Sequence, residues 1–420
     1  MSLTGALNSA VSALKAQSSA IAMVSDNLAN SGTYGYKTTH ASFASLVTAA
    51  SSSTSYSSGG VIARAVSNIT EQGLITDSAT TTNMAVSGNG FFPVTATTSG
   101  GATYYTRNGE FAPDDTGYLV NNGYYLLGWP TDAAGNVVGG TSAALEPINI
   151  NRISSTVSAT TQATIKANLP AEADSGASFT STMKIYDSLG TAHSSVITWT
   201  KTAENTWTAA FANPTTGSST AASGTIGGSP ITVTFNDDGT LASTSPSPAE
   251  ITVSGWSTGA ANSTITLDLG EDGGADGLTQ YDSGLDTPEV DLDSINQDGM
   301  AYGKLSSISI DDDGTVVGTY SNGQEVSLYK VPVATFANAN GLSAMDGGIY
   351  SATGNSGDAV LHEAGTGGAG TVEGSSLEAS KTDTGEEFTN MIAAQQAYSA
   401  ASQIISAVDE MFDTLLSSVR

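Results

Sequence analysis

Asp187, His193 and Ser194 stand close together, and an acid, an imidazole and a hydroxyl are the groups that nucleophilic acyl transfer uses. The serine lacks the strand-to-helix elbow that exposes such a nucleophile. The three histidines, His40, His193 and His362, lie far apart, with none of the spacing of a zinc site. Gly365-Thr-Gly-Gly-Ala-Gly370 has the glycine pattern of a dinucleotide loop, but Thr371-Val-Glu-Gly-Ser-Ser follows, where such a loop needs a helix to open. Acidic groups cluster at Asp237–Asp238, at Asp311–Asp313 and over Asp268, Glu271, Asp272 and Asp276. None has the alternating oxygens and distant glutamate of a calcium-binding helix-loop-helix. Asp-Gly pairs are ordinary turn chemistry, and 268–282 is where a weak calcium site would lie. Phe91, Phe92, Tyr104, Tyr105, Phe111, Tyr118, Tyr124, Tyr125 and Trp129 suit a sugar-binding face or a sheet core, and their alternation favours the core. No catalytic, cofactor-binding or metal residue is assigned, no cofactor is expected, and the chain is expected not to be an enzyme.

What remains is a pair of apolar stripes at the two ends. Leu3, Leu7, Ala10, Leu14, Gln17, Ile21, Val24 and Leu28 follow steps of four and three in alternation. Met391, Ala394, Tyr398, Ala401, Ile405, Val408, Phe412 and Leu415 do the same. Such a heptad seam calls for a long helix packed against another helix. Either the two ends seal one domain as a helical hairpin, or they join the chain to other subunits.

Charge and composition separate ends from middle. The formal net charge is −28 over 420 residues, from 12 basic and 40 acidic groups. That argues against nucleic acid or an anionic membrane surface as partner, since both need a basic footprint. Residues 1–60 hold only Lys15, Asp26 and Lys37, whereas the acid is concentrated between 61 and 380. A nearly uncharged amphipathic strip suits burial in an assembly. The 47 glycines and the long Ser, Thr and Ala runs point to small-residue β structure rich in turns. Cysteine is absent, so nothing depends on thiols. The N-terminus lacks the basic and continuous apolar regions of a cleaved signal. No run of about 18 apolar residues is available for a membrane span, so no membrane insertion is expected.

In chain order, the first helix should stop at Asn30-Ser31-Gly32, where Asn and Gly suit a left-handed cap. Residues 41–60 read as a flexible connector or an extended strand. Met183 and Ile185 alternate before a turn at Asp187–Gly190, and Ile197 and Trp199 alternate after it, a hairpin pattern. Ile231, Val233 and Phe235 precede a turn at Asn236–Gly239. Ile308 and Ile310, the turn Asp311–Gly314, Val316 to Tyr320, the turn Asn322-Gly323, and Val326 and Leu328 make an antiparallel meander. Asp383-Thr-Gly-Glu386 has capping-box spacing for the last helix.

Several blocks carry a family resemblance. Asp26-Asn-Leu-Ala-Asn-Ser-Gly-Thr-Tyr-Gly-Tyr-Lys37, Asn83-Met-Ala-Val-Ser-Gly-Asn-Gly-Phe-Phe92, Tyr104-Tyr-Thr-Arg-Asn-Gly-Glu-Phe111 and Glu387-Phe-Thr-Asn-Met-Ile-Ala-Ala-Gln-Gln-Ala-Tyr398 resemble the bacterial flagellar rod and hook protein family. Ser181 to His193, and Gln297-Asp-Gly-Met-Ala-Tyr-Gly-Lys-Leu305, resemble the hook branch. The β-rich insert at 149–296 favours that branch over the distal rod protein. A secreted β-rich adhesin that binds sugar or calcium is the alternative outside the family.

The resemblance implies a structural subunit that polymerises with itself into a flexible tube and passes torque from rod to filament. Implied partners are flagellar rod proteins, the hook cap, the hook-filament junction proteins and the flagellar export apparatus. The implied location is extracellular, in the flagellum, reached without a cleaved signal peptide. The expected fold is mainly β with coiled-coil helical termini, one antiparallel β domain being inserted in another. Its parts are paired terminal helices at 1–35 and 383–420, a connector at 36–60, a middle β domain at 61–148 and 297–372, an inserted outer domain at 149–296, and a connector at 373–382. The heptad residues above are the expected subunit interface.

Overall fold

A computed structural model describes residues 3–46, 59–132, 135–141, 143–217 and 219–418. The chain is mostly antiparallel β structure between two long helices, α1 at Leu3–Ala29 and α2 at Thr384–Ser418. It divides into two units. The first comprises Met1–Arg152, Ser307–Gly318 and Glu325–Arg420, and the second Ile153–Ser306 and Thr319–Gln324.

In the first unit, α1 is followed by a hairpin of β1, Thr39–Ser45, and β2, Val61–Ser67, paired antiparallel. The part of the 36–60 connector at 39–45 is therefore a strand, and 47–58 lies outside the described residues. The end of α1 is closed by the Asn30 side chain, whose Nδ2 donates to the Asp26 carbonyl at 2.9 Å. The left-handed residue comes later than Asn30 or Gly32, at Gly35, with φ 67°. A Cβ there would lie 2.7 Å from the Arg107 carbonyl carbon, so the turn needs glycine for both conformation and space.

The body of this unit is a sheet ordered Glu325–Lys330, Tyr124–Pro130, Phe92–Thr95, Thr103–Thr106, Ile349–Ser351 and Ser343–Met345. Phe91, Tyr105 and Tyr350 are buried beneath it, with Phe91 and Tyr350 edge to face at 5.7 Å. Of the aromatic cluster, Phe92, Phe111 and Trp129 are also buried. Tyr104 and Tyr118 are half-buried, packed against Tyr124 and Tyr125 respectively, so these rings are mainly core.

The stretch 373–382 departs from a connector. Thr371–Gly374 pairs with Met84–Ser87, and Ser376–Glu378 with Ile75–Asp77. Gly and Ser mask these strands in the sequence, because backbone pairing rather than apolar alternation holds them.

The second unit has one core between two sheets. Ser178–Tyr186, Ala192–Ala203, Thr206–Phe211, Ile231–Phe235 and Leu241–Ser245 form an antiparallel meander. Met183, Ile185, Ile197, Trp199, Trp207 and Val233 point inward from it, meeting Ile165, Ile251, Val253 and Ile265 of the second sheet. The strict alternation along Ser178–Tyr186 and Ala192–Ala203 is that of strands with one buried face. The second sheet is mixed: Gln162–Asn168 runs parallel to Ser263–Asp268 and to Leu278–Thr279.

Candidate functional site

Asp187 and His193, set aside as a catalytic pair in the sequence, do meet, and with a serine other than Ser194. His193 Nε2 lies 3.1 Å from Asp187 Oδ2, and Nδ1 lies 2.7 Å from the Oγ of Ser223, not Ser194. All three are buried, and Trp256 lies over the imidazole at 4.3 Å. A buried hydroxyl cannot meet a substrate, so the group acts as a staple. Asp187 accepts from the Thr258 hydroxyl and from the backbone N–H of Leu189 and Thr191, tying the hairpin turn to the loop that holds Trp256.

Burial alone would raise the Asp187 carboxyl, but the bonds from Thr258, Thr191, His193 and Leu189 together hold it below the ordinary carboxylate value. A carboxyl depressed on folding contributes stability above its unfolded value, lost as pH falls through the folded one. The second unit should therefore melt progressively lower below about pH 4. Asp187→Ala, which strands the Thr258, Thr191 and Leu189 donors, should cost about 2–3 kcal/mol at neutral pH. Calorimetry of wild type and variant checks both, and equal melting temperatures would remove the staple.

The other chemical motifs resolve as turns. Gly365 to Gly370 closes a loop, the Gly365 N–H donating to the Gly370 carbonyl at 2.9 Å, between Val360–His362 and Thr371–Gly374. Asp313 accepts from Thr315 N–H and from Lys330, and Asp276 from Glu271 N–H. Among the described residues, no three His, Cys, Asp or Glu side chains converge as metal ligands.

The helical end holds the extended surface of interest. Asn27 of α1 is buried and donates from Nδ2 to Glu387 Oε1 of α2 at 2.7 Å. It also accepts from Thr39 N–H at 3.0 Å and from the Tyr36 hydroxyl at 3.1 Å. The Thr382 hydroxyl donates to its carbonyl. One amide thus fixes the end of α1, the start of β1 and the start of α2, and the helices run antiparallel from it. Burial raises the Glu387 carboxyl, partly offset by the Asn27 bond. Asp383 caps α2, accepting from Gly385 and Glu386 N–H.

The seam between the helices is lined by small residues. Of the heptad positions on α1, Ala10 and Val24 are buried, Leu7, Leu14, Gln17, Ile21 and Leu28 are half-buried, and Leu3 opens the helix. Ala16 and Ala20, off the heptad, are buried too. On α2, Ala394, Ala401 and Val408 are buried, Met391, Ile405 and Phe412 half-buried, and Tyr398 and Leu415 exposed. Small side chains let helix axes approach closely, and the heptad leucines Leu7, Leu14 and Leu28 are only half-buried. The hairpin covers a second face of α1, where the Ser12 hydroxyl accepts from Val61 N–H at 3.1 Å.

Much apolar surface stays open. Phe388, Ile392, Ile404, Met411, Leu415 and Leu416 are between 48% and 67% exposed. Counted from the Asn27–Glu387 contact, α1 begins opposite Met411, so the last turns of α2 extend past it. No described helix is long and apolar enough to cross a membrane.

Behind the helices, Glu378 is buried between two cations. Its Oε1 takes Lys37 Nζ at 2.5 Å, and its Oε2 faces Arg107 Nη1 at 3.4 Å. Gly73 N–H also donates to it, and Arg107 Nη2 donates to the Gly88 carbonyl. Burial lowers the Lys37 ammonium against the opposing pull of Glu378. The sequence signal for Asn27 and Lys37 is polar residues in a nearly charge-free stretch that ends a helix.

Four family models match the chain. They are "Flagella basal body rod protein" over residues 7–37, "Flagellar hook protein FlgE/F/G D1 domain" over 85–168, "Flagellar basal body protein FlaE D2 domain" over 149–300, and "Flagellar basal body rod FlgEFG protein C-terminal" over 373–418. The flagellar hook protein FlgE of Brucella suis is 32% identical, with 99% of each chain covered. That of Escherichia coli is 32% identical over 98% of this chain and 99% of its own. A crystal structure of Helicobacter pylori flagellar hook protein FlgE2 aligns at TM-score 0.45 and 14% identity, covering 72% of this chain and 100% of that one.

Proposed function

Because this chain belongs to the flagellar hook protein family and is a structural subunit of the hook, we propose that its terminal helices are the surface through which copies join into a tube. One observation carries this reading. Two long helices with few charges bury alanines against each other and leave leucine, isoleucine and phenylalanine side chains open to solvent. Open apolar surface on this scale marks an association site. The family is a structural one and not a family of enzymes.

The tube transmits torque from rod to filament while bending. Bending requires contacts that shift register at little cost. The meander of the second unit offers a suitable face, on which Ser178, Thr200, Thr208, Thr232 and Ser245 form one row across its strands. Hydroxyl and methyl groups repeated at strand spacing present similar contacts in successive registers. Rod proteins, the hook cap, junction proteins and the export apparatus are the proposed partners, and the flagellar export channel the proposed route.

Leu14→Asp tests the assembly surface. Leu14 is half-buried in the single chain, so the β body should keep its melting temperature. Polymer formation should fail, because a carboxylate buried unpaired between copies costs about 3–5 kcal/mol. Wild-type polymer yield from Leu14→Asp would contradict the proposal.

A further inference from the structure

A groove of about 730 Å3 opens between α1, β1 and the start of α2. Ala20, Met23, Phe43 and Ala394 supply apolar lining, and Glu71, Asp383, Glu386 and Glu387 stand against the single cation Lys381. Most of these charges are engaged within the chain. Lys381 lies 3.9 Å from Glu71, Asp383 caps α2, and Glu387 is buried against Asn27. Glu386 is exposed and forms no ion pair among the described residues. The groove is therefore a largely polar slot with apolar patches and an uncompensated negative edge.

The matching positive feature lies on α1, on the side away from the groove. Lys15 is exposed and likewise in no ion pair among the described residues. It sits about 200° around the helix from the groove-lining Gln17, so it cannot reach the groove of its own chain. Val11, Ser18 and Ala22 share its exposed face, and their small size admits close approach to another surface. A groove and its complement on different sides of one molecule make a head-to-tail contact, which does not close as a two-fold dimer and, where its rotation does not close a ring, repeats into an open helical polymer.

Resting on the assembly reading above, we propose that the groove of one copy receives the Lys15 face of the next copy's α1, with Lys15 set against Glu386. The test is a charge swap in the full chain, with polymer pelleted at rising protein concentration and folding checked by circular dichroism. Lys15→Glu and Glu386→Lys should each raise the concentration needed for polymer on the order of tenfold, since each places like charges in contact. The double variant should return close to wild type. Single variants that polymerise like wild type, or impaired singles without rescue in the double, would overturn the pairing while leaving the assembly reading intact. A wild-type chain that never pellets would overturn the assembly reading and the pairing with it.

Discussion

Glu378→Ala should destabilise the first unit by about 3–5 kcal/mol, the cost of leaving buried charge without its partner. Glu378, Lys37 and Arg107 are 1%, 4% and 2% exposed, so water cannot take over from the lost carboxylate. Lys37 can shed its proton, because burial already lowers its ammonium. Arg107 cannot, and it keeps only the Val86 and Gly88 carbonyls. The loss should spread toward the helices. The Gly35 N–H donates to the Glu378 carbonyl, so the segment leaving α1 is anchored to the same strand. Urea unfolding followed by tryptophan fluorescence should show an earlier transition for the first unit and an unchanged one for the second, whose staple at Asp187 is untouched. An unshifted first transition would show that the ion cluster is dispensable.

Removing both helices should abolish polymer formation altogether while leaving a folded body. The fragment 36–382 retains Lys37, Arg107 and Glu378, and every strand pair between Thr39 and Glu378. A cut at 372 would instead divide Thr371–Gly374 and discard Glu378. The helices contribute a narrow seam of alanines, so their loss exposes little apolar core elsewhere. Circular dichroism and pelleting check the two halves of this expectation. Polymer grown from 36–382 would place the assembly surface in the β units.

The helices were legible because a 3–4 step survives over many turns, and substitution of any one residue hardly blurs it. The face they bury was legible in part: Ala10, Val24, Ala394, Ala401 and Val408 of the heptad are buried, whereas its leucines are half-buried or exposed and the off-heptad Ala16 and Ala20 are buried. The hairpins around Asp187 and Asp311–Gly314 were legible from alternation and turn residues. The parallel pairs of Gln162–Asn168 were not, since partners a hundred residues away leave no local pattern. Distance in sequence also hid the His193–Ser223 contact and the Lys37–Arg107–Glu378 cluster. The blocks that carried the family resemblance hold several of the residues that tie the helical end together: Asn27 and Lys37 lie in the first, Arg107 in the third, and Glu387 opens the last.

Electron cryo-microscopy of polymer grown from the purified full chain shows which surfaces join the copies. A tube should form without any added ligand, its bore lined by α1 and α2 of successive copies, with Phe388, Ile392 and Leu415 covered by neighbouring helices. A tube whose copies meet only through β units, with these side chains still facing solvent, would contradict assembly through the helices.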